Sequence, residues 1–237
     1  MIALVIALSA MTGFAVADGL TFSGGRVGVK AHQFYYTGGG TATFTNVNGA
    51  AAFDFDSGPW EVQANAGTWT LLPGGILGFS DARVILAKQT GASTKIGGYL
   101  GILAFSGTNL AEAGVTGMTM TSAGAYLEGE AGIITGPGGF GPFSFLDGRY
   151  RWRNWFGNAQ VVSAGGTNIF TVGGGYRIRI TPGARLDAGI SALSAGGGAT
   201  VTRATLDLRI PLGGADQPGD IDSRLFPHRN ILPQIGF

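Results

Sequence analysis

The segment from residue 176 to residue 210 alternates between apolar and charged or polar side chains, and this period of two limits what the chain can fold into. A strand with this pattern has one apolar face and one charged face. It fits either a sheet that lies on a core or a barrel with a hydrated interior and an apolar exterior. One parity carries Tyr176, Ile178, Ile180, Leu186, Ala188, Ile190, Ala204, Leu206, Leu208 and Ile210, and the other carries Arg177, Arg179, Arg185, Asp187, Arg203, Thr205, Asp207 and Arg209.

The sequence TPGA at residues 181–184 predicts the turn of a hairpin within this segment. If the charged side chains of both strands share a face, the two residue numbers of every cross-strand pair are both odd or both even. The turn between the strands then contains an odd number of residues. A three-residue loop that ends in Gly183 at positive φ satisfies this condition. One such register pairs Arg177 with Asp187, and a shift of two residues would pair Arg179 with Asp187 instead.

Composition favours the barrel over the soluble sheet. Charged residues make up 12% of the 237 residues and hydrophobic residues 45%, whereas charged residues are about a quarter of an ordinary soluble domain. After residue 17 no apolar run is long enough for a helical membrane span. A chain that is moderately apolar overall and alternates locally is typical of a membrane barrel.

The same composition excludes several classes of function. A formal net charge of +1 gives no electrostatic case for a nucleic acid partner. The absence of cysteine excludes thiol catalysis and thiolate metal sites, and two histidines are too few for a histidine-rich metal site. We therefore expect no cofactor and no metal.

Turn residues divide the middle of the chain into many short alternating segments. From Arg26 onward these segments are seven to thirteen residues long. This spacing indicates an all-β meander without helices between the strands. We predict that it forms an antiparallel up-and-down transmembrane β-barrel with an even number of strands, about 12 within a range of 8 to 14. Residues 96–105 are apolar on both parities. Periodicity does not distinguish three alternatives for this segment: a strand that faces a plug, a helix, or a strand at a subunit contact. The predicted breaks lie at residues 46–49, 56–59, 66–67, 73–75, 134–142 and 173–175.

The two ends of the chain differ from the rest. Residues 1–17 are apolar and end in Ala-Val-Ala, which predicts a cleaved signal peptide, although no Lys or Arg precedes the apolar run and a retained short anchor is the alternative. Residues 18–212 are predicted to form the barrel. Residues 213–237 are rich in proline and lack alternation, so they are predicted to be an extended tail.

The charged parity defines the candidate site. If the sheet closes, the basic residues of the last third face the acidic residues of earlier strands across the lumen, which orients a polar solute and tunes ion selectivity. The alternatives are a salt-bridge network that fills a closed barrel, and a soluble sandwich whose charged face meets solvent. The predicted pore-lining residues are Arg149, Arg151, Arg153, Arg177, Arg179, Arg185, Asp187, Arg203, Asp207, Arg209, Asp54, Asp56, Glu61, Glu128 and Glu130.

Catalysis finds little support in the sequence. The carboxylate pairs Asp54/Asp56 and Glu128/Glu130 each share a strand face, but pore lining or salt bridging explains them more simply than acid–base chemistry. No GxSxG elbow, phosphate loop or EF-hand pattern is present. We therefore expect a protein that is not an enzyme.

The run GGGYRIRITPGARLDAGI at 173–190, the segment ATLDLRIPL at 204–212 and the terminal AVA at 15–17 resemble bacterial outer-membrane β-barrel proteins of the small porin-like kind. The resemblance implies export to the outer membrane of a Gram-negative bacterium, lipid around the barrel, small polar solutes or ions inside it, and a periplasmic turn at 181–184. It leaves open whether the barrel forms a homo-oligomer. The alternative function is a secreted β-rich surface or assembly protein whose apolar faces meet other subunits.

Overall fold

The computed structural model describes residues 21–37, 43–57, 59–72, 77–105, 107–121, 124–137, 141–181, 184–195 and 200–212. These residues form twelve antiparallel strands in one closed barrel. The strands are β1 (Thr21–Thr37), β2 (Thr43–Ser57), β3 (Trp60–Leu72), β4 (Leu77–Gly91), β5 (Thr94–Phe105), β6 (Thr108–Met120), β7 (Ala125–Thr135), β8 (Pro142–Trp152), β9 (Trp155–Ala164), β10 (Thr167–Arg179), β11 (Arg185–Ala195) and β12 (Thr200–Leu212).

The barrel closes because β1 pairs with β12 as well as with β2. The register runs from Gly25 opposite Leu212 to Thr37 opposite Thr200. Every other strand pairs with its neighbours in sequence, which is the up-and-down order. Closure leaves no unpaired sheet edge. The predicted fold class, an antiparallel up-and-down barrel with an even number of strands near twelve, is confirmed.

Every strand is long enough to cross a bilayer. The shortest, β9, has 10 residues and the longest, β1, has 17, and a tilted membrane strand needs about 9–11. The strands are longer than the uninterrupted alternation in the sequence suggests, because the ladder continues through glycine and asparagine. The predicted breaks at 46–49, 66–67 and 173–175 were wrong, since they lie inside β2, β3 and β10, whereas those at 56–59, 73–75 and 134–142 do fall at strand ends.

The hairpin of β10 and β11 has the geometry predicted from its charge pattern. Arg177 lies opposite Asp187, which is one of the two registers that the sequence allowed. The Ile180 N–H donates to the Ala184 carbonyl oxygen at 3.0 Å, and three residues lie between these two. Gly183, whose φ was predicted to be positive, lies outside the described residues.

The doubly apolar segment 96–105 is a strand, β5. Tyr99 and Leu103 point into the barrel and are 4% and 2% exposed. Leu100 and Ile102 point outward and are exposed. Both parities are apolar because this part of the barrel interior is itself apolar, so the alternation that marks the other strands is lost here.

We name the two ends of the barrel by their connections. The turn end contains the start of β1, the end of β12 and connections of two to five residues, at 58–59, 92–93, 121–124, 153–154 and 180–184. The loop end contains connections of two to six residues, at 38–42, 73–76, 106–107, 136–141, 165–166 and 196–199. Residues 1–17 and 213–237 lie outside the described residues, so the signal peptide and the tail remain predictions.

Candidate pore and its charged interior

The two strand parities separate into an apolar outside and a largely charged inside. Cross-strand pairs share a face of a sheet, and the parity that contains Asp187 and Asp207 is buried, whereas that of Ile190 and Leu206 is exposed. The register places most of the predicted lining residues on the inward parity: Glu61, Glu128, Glu130, Arg149, Arg151, Arg177, Arg179, Arg185, Asp187, Arg203, Asp207 and Arg209.

Three predicted lining residues stand apart from this set. Arg153 is not on the strand face that the alternation predicted, because β8 ends at Trp152 and Arg153 lies exposed in the following turn with φ of 56°. Its guanidinium carbon lies 5.3 Å from the centre of the Trp152 ring. Asp54 and Asp56 occupy β2 positions that pair with Gln63 and Glu61, and their side chains lie outside the described residues.

Charged residues of β1, β10, β11 and β12 form one connected group near the turn end. Arg177 donates to both carboxylate oxygens of Asp187, from Nε at 2.7 Å and from Nη2 at 2.8 Å. Arg209 donates to Oδ2 of Asp207 from Nη2 at 2.6 Å, and Lys30 Nζ lies 3.4 Å from the same oxygen. The bidentate pair of Arg177 and Asp187 fixes both the distance and the orientation of the two side chains.

A second group lies on the opposite side of the interior, between β3 and β7. Arg83 donates from Nε to Oε1 of Glu112 at 2.8 Å and from Nη1 to Oε2 of Glu130 at 2.9 Å. Lys95 pairs with Glu61 across β4. Sequence reasoning missed Arg83, Lys95 and Glu112 as interior charges. Parity could have found Arg83 and Glu112, but apolar residues on the same face, Ile85 beside Arg83 and Leu110 beside Glu112, obscured the alternation.

Aromatic side chains inside the barrel lie over glycines of neighbouring strands. A Cβ built on Gly114 or on Gly132 would lie 2.5 Å from the hydroxyl oxygen of Tyr99. The Phe156 ring covers two other glycines in the same way. A Cβ built on Gly175 would lie 2.6 Å from Cζ of Phe156, and one built on Gly189 would lie 3.3 Å from it. These glycines give the rings room to lie against the wall. The glycine run at 173–175 therefore serves close packing within a strand, which explains why it does not end one.

The interior near the loop end is apolar beside β5 to β10. The inward side chains there are buried and form part of one contiguous cluster with Ile85, Ala87, Tyr99 and Met118 of adjacent strands. Apolar inward residues exclude water from this half of the lumen. We call this part the apolar plug, and its residues are Leu103, Leu110, Ile134, Phe143, Phe145, Val162 and Ile169.

The interior ion pairs are unequally exposed. In two of the described pairs the carboxylate is by far the more buried partner: the Asp147 side chain is 2% exposed where that of Arg149 is 35% exposed, and the Asp207 side chain is 8% exposed where that of Lys30 is 33% exposed. In the Lys95–Glu61 pair the two side chains are almost equally buried. At these two pairs the cation meets solvent while its carboxylate lies against the wall, so the accessible partner there is the positive one.

Aromatic side chains mark the outside of the barrel at the turn end. Trp60, Trp152, Trp155 and Tyr176 are outward and exposed. Trp155 and Tyr176 contact each other edge to face with ring centres 5.0 Å apart, and Asn154 donates from Nδ2 to the Tyr176 hydroxyl at 3.0 Å. Amphipathic rings in this position are typical of the boundary between hydrocarbon and headgroups. The side chain of Trp69, the fourth tryptophan of the chain, lies outside the described residues.

Among the residues that the structure describes, no three His, Asp or Glu side chains gather into a group that could hold a metal ion. No helix there is long and apolar enough to cross a membrane.

A closed antiparallel up-and-down barrel with an apolar exterior and a charged interior is the architecture of bacterial outer-membrane porins and channels. Solved structures of this class resemble the chain in fold. The KdgM porin in complex with disordered oligogalacturonate aligns at a TM-score of 0.55 with 6% identity, over 76% of this chain and 98% of that chain. The COG4313 outer-membrane channel from Pseudomonas putida F1 aligns at 0.52 with 10% identity, over 83% and 98%.

A third structure, from work on the in-meso crystallization of membrane proteins, aligns at a TM-score of 0.63 with 10% identity, over 87% of this chain and 96% of that chain. No protein-family model matches the sequence, and no curated protein does. At these identities the likeness concerns the fold, which is that of a porin-like barrel.

Proposed function

We propose that this chain is an outer-membrane β-barrel that passes small polar solutes and ions, with a preference for anions, through a narrow interior. The observation that carries the proposal is the unequal exposure of the interior ion pairs. Arg149 and Lys30 meet solvent, whereas Asp147 and Asp207 are buried behind them. A passage lined by cations attracts anions and repels cations.

The passage follows the arginine-bearing strands. β8 contributes Arg149 and Arg151, and β12 contributes Arg203 and Arg209, all of them partly exposed. The apolar plug fills the lumen at the loop end beside β5 to β10, and the buried Arg83 group fills it between β4 and β7. A solute that crosses the barrel therefore meets the basic side.

Orientation follows from the connections. In outer-membrane barrels the periplasmic turns are short and the extracellular loops are longer. The connections here are shorter on the whole at the end where β1 starts and β12 ends. We assign the turn end to the periplasm and the loop end to the exterior, with outer-membrane lipid around the apolar belt.

Planar-bilayer recording with a salt gradient tests this function. The wild-type barrel is expected to conduct, with a reversal potential that reports anion preference. Changing Arg149 and Arg151 together to Gln should move the reversal potential toward cation preference. Arg153→Gln is the matched control, because Arg153 carries the same charge at the same end but lies in an exposed turn over Trp152. An equal shift from the control would attribute selectivity to general surface charge and contradict the lining role.

A filled structural barrel is the second candidate function. Interior residues such as Ile85, Glu128 and Val162 are each only 1% exposed, and small barrels can be filled entirely by side chains. The absence of conductance in every condition, from a barrel that still shows heat-modifiable gel migration, would favour this candidate over the pore.

The secreted assembly protein makes a different prediction from both barrels. Leu100, Val172 and Ile190 are each more than half exposed on the outer face, and lipid or detergent covers such a belt in a membrane barrel. The membrane proposal predicts that the protein requires detergent to remain monodisperse. Mature protein that stays monodisperse in plain buffer would overturn it.

A further inference from the structure

Three arginines on adjacent strands lie opposite one another at the turn end. Arg179 pairs with Arg185 across β10 and β11, and Arg185 pairs with Arg209 across β11 and β12. Directly opposed residues in antiparallel strands have Cβ atoms roughly 4.5–5.5 Å apart, and like charges at that spacing destabilise the pairing. This row is unfavourable for the protein alone. Such an unfavourable row of like charges is a feature expected at functional sites, where binding takes precedence over stability.

Further arginines surround the row. Arg151 of β8 interacts electrostatically with Arg177 and Arg179, and Arg185 interacts with Arg177 as well as with Arg209. Two aspartates lie within the group. Asp187 is bound through both oxygens by Arg177, and Arg185 Nε lies 3.7 Å from it. Asp207 is bound by Arg209.

The group thus contains five arginines and two aspartates on the inward parity of β8, β10, β11 and β12. The arginines outnumber the aspartates by three, and the aspartates are bonded at hydrogen-bond distance to Arg177 and Arg209. A lipid headgroup outside the barrel does not meet these side chains, because they belong to the inner face.

We propose that Arg151, Arg179 and Arg185 form a binding site for a small solute that carries two or more oxyanion groups, at the turn-end mouth of the barrel. The guanidinium fork matches carboxylate and phosphate oxygens in pairs, which a chloride ion does not do. Several oxyanion groups on one solute neutralise several arginines at once. The inference deepens the anion-favouring passage proposed above by naming the class of solute that rests at its mouth.

Calorimetric titration of the purified full chain in neutral detergent tests the site without any need for conduction. Citrate is the probe, acetate is the single-carboxylate comparison, and sodium chloride holds the ionic strength constant because screening alone weakens charge repulsion. Wild-type protein should bind citrate with 1:1 stoichiometry and at least tenfold more tightly than acetate. The double variant R179Q/R185Q should bind citrate at least tenfold more weakly, as expected when charged hydrogen bonds are lost.

The matched control is Lys88→Gln, which removes one positive charge from an outward, exposed position beside Trp60 at the same end. Citrate binding by this variant should equal that of wild type. In the absence of citrate and at low salt, R179Q/R185Q should unfold at a higher temperature than wild type, because the opposed charges are gone. A purely structural role for the two arginines predicts the reverse.

The outcomes separate this site from the pore itself. Citrate binding that is absent in wild type, or that is unchanged in R179Q/R185Q, overturns the site even if the barrel conducts anions. Citrate binding that behaves as expected in a barrel with no conductance retains the site and contradicts only the passage.

Discussion

Arg83 and Glu112 form a two-pronged ion pair across an intervening strand. Nε of Arg83 lies 2.8 Å from Oε1 of Glu112 and Nη2 lies 3.0 Å from Oε2. Arg83 belongs to β4 and Glu112 to β6, so the pair passes over β5 at Gly101. A Cβ on Gly101 would lie 2.9 Å from Cγ of Glu112. The glycine leaves the space that the ion pair occupies.

Replacing this glycine should therefore displace the pair. Gly101→Ala is expected to lower the free energy of unfolding by about 1–3 kcal/mol, the usual range for overpacking. Gly98→Ala is the control on the same strand, because a Cβ there faces outward and lies 3.7 Å from the Gly114 carbonyl oxygen, an ordinary contact. Urea unfolding in lipid vesicles, followed by heat-modifiable gel migration, measures both. Equal losses in the two variants would contradict a specific role for Gly101.

Removing the Arg83 guanidinium should lower the free energy of unfolding more than crowding the ion pair with Gly101→Ala does. Glu112 and Glu130 are 4% and 7% exposed, and both accept hydrogen bonds from the Arg83 guanidinium. Arg83→Met leaves these two buried carboxylates without that donor. Breaking a buried pair on one side costs about 3–5 kcal/mol.

The triple variant R83M/E112Q/E130Q should recover much of that loss in the same urea assay, because it removes the buried charges together. Lys88→Met, an exposed outward cation, should change stability by no more than about 0.5 kcal/mol. A triple variant as unstable as R83M would show that the charges are not the cause.

The sequence was sufficient for the fold because membrane barrels impose a period of two on every strand. The pair Arg177 and Asp187 shows this most clearly, since charge parity alone gave both the odd turn and a register that the structure contains. The breaks were harder to place. Asn46 to Gly49 has strong turn chemistry, yet β2 continues through it because both neighbouring strands hold its backbone in the ladder.

The interior was predictable only in part, for a physical reason. Parity assigns a face to Arg149 or Asp207, but it does not give depth or partners. Arg153 has the same parity as Arg151 but does not face the lumen, because β8 ends one residue before it. The apolar plug was not visible in the sequence, since an inward Leu103 beside an outward Ile102 looks the same as any buried strand.

The outward tryptophans should report lipid directly. A variant that keeps Trp155 and changes Trp60, Trp69 and Trp152 to Phe should lose fluorescence in vesicles of brominated lipid. Quenching should be stronger for bromine near the headgroup than near the chain end, because Trp155 starts β9 at the turn end and is 56% exposed. Fluorescence insensitive to bromine at either depth, but quenched by acrylamide in water, would place this face in solvent and contradict the membrane barrel.

The apolar plug should limit the width of the passage. Phe143 is 4% exposed on the inward face at the loop-end start of β8. Phe143→Ala removes most of the ring from a packed site and should lower the free energy of unfolding by about 3–5 kcal/mol. It should also raise single-channel conductance, since the vacated volume adjoins the lumen.

Phe170→Ala is the matched control, because Phe170 lies near the loop end of β10 but faces outward and is 56% exposed. The control should leave conductance unchanged. A Phe143→Ala barrel that is destabilised but conducts as wild type would show that the plug fills space without narrowing the route.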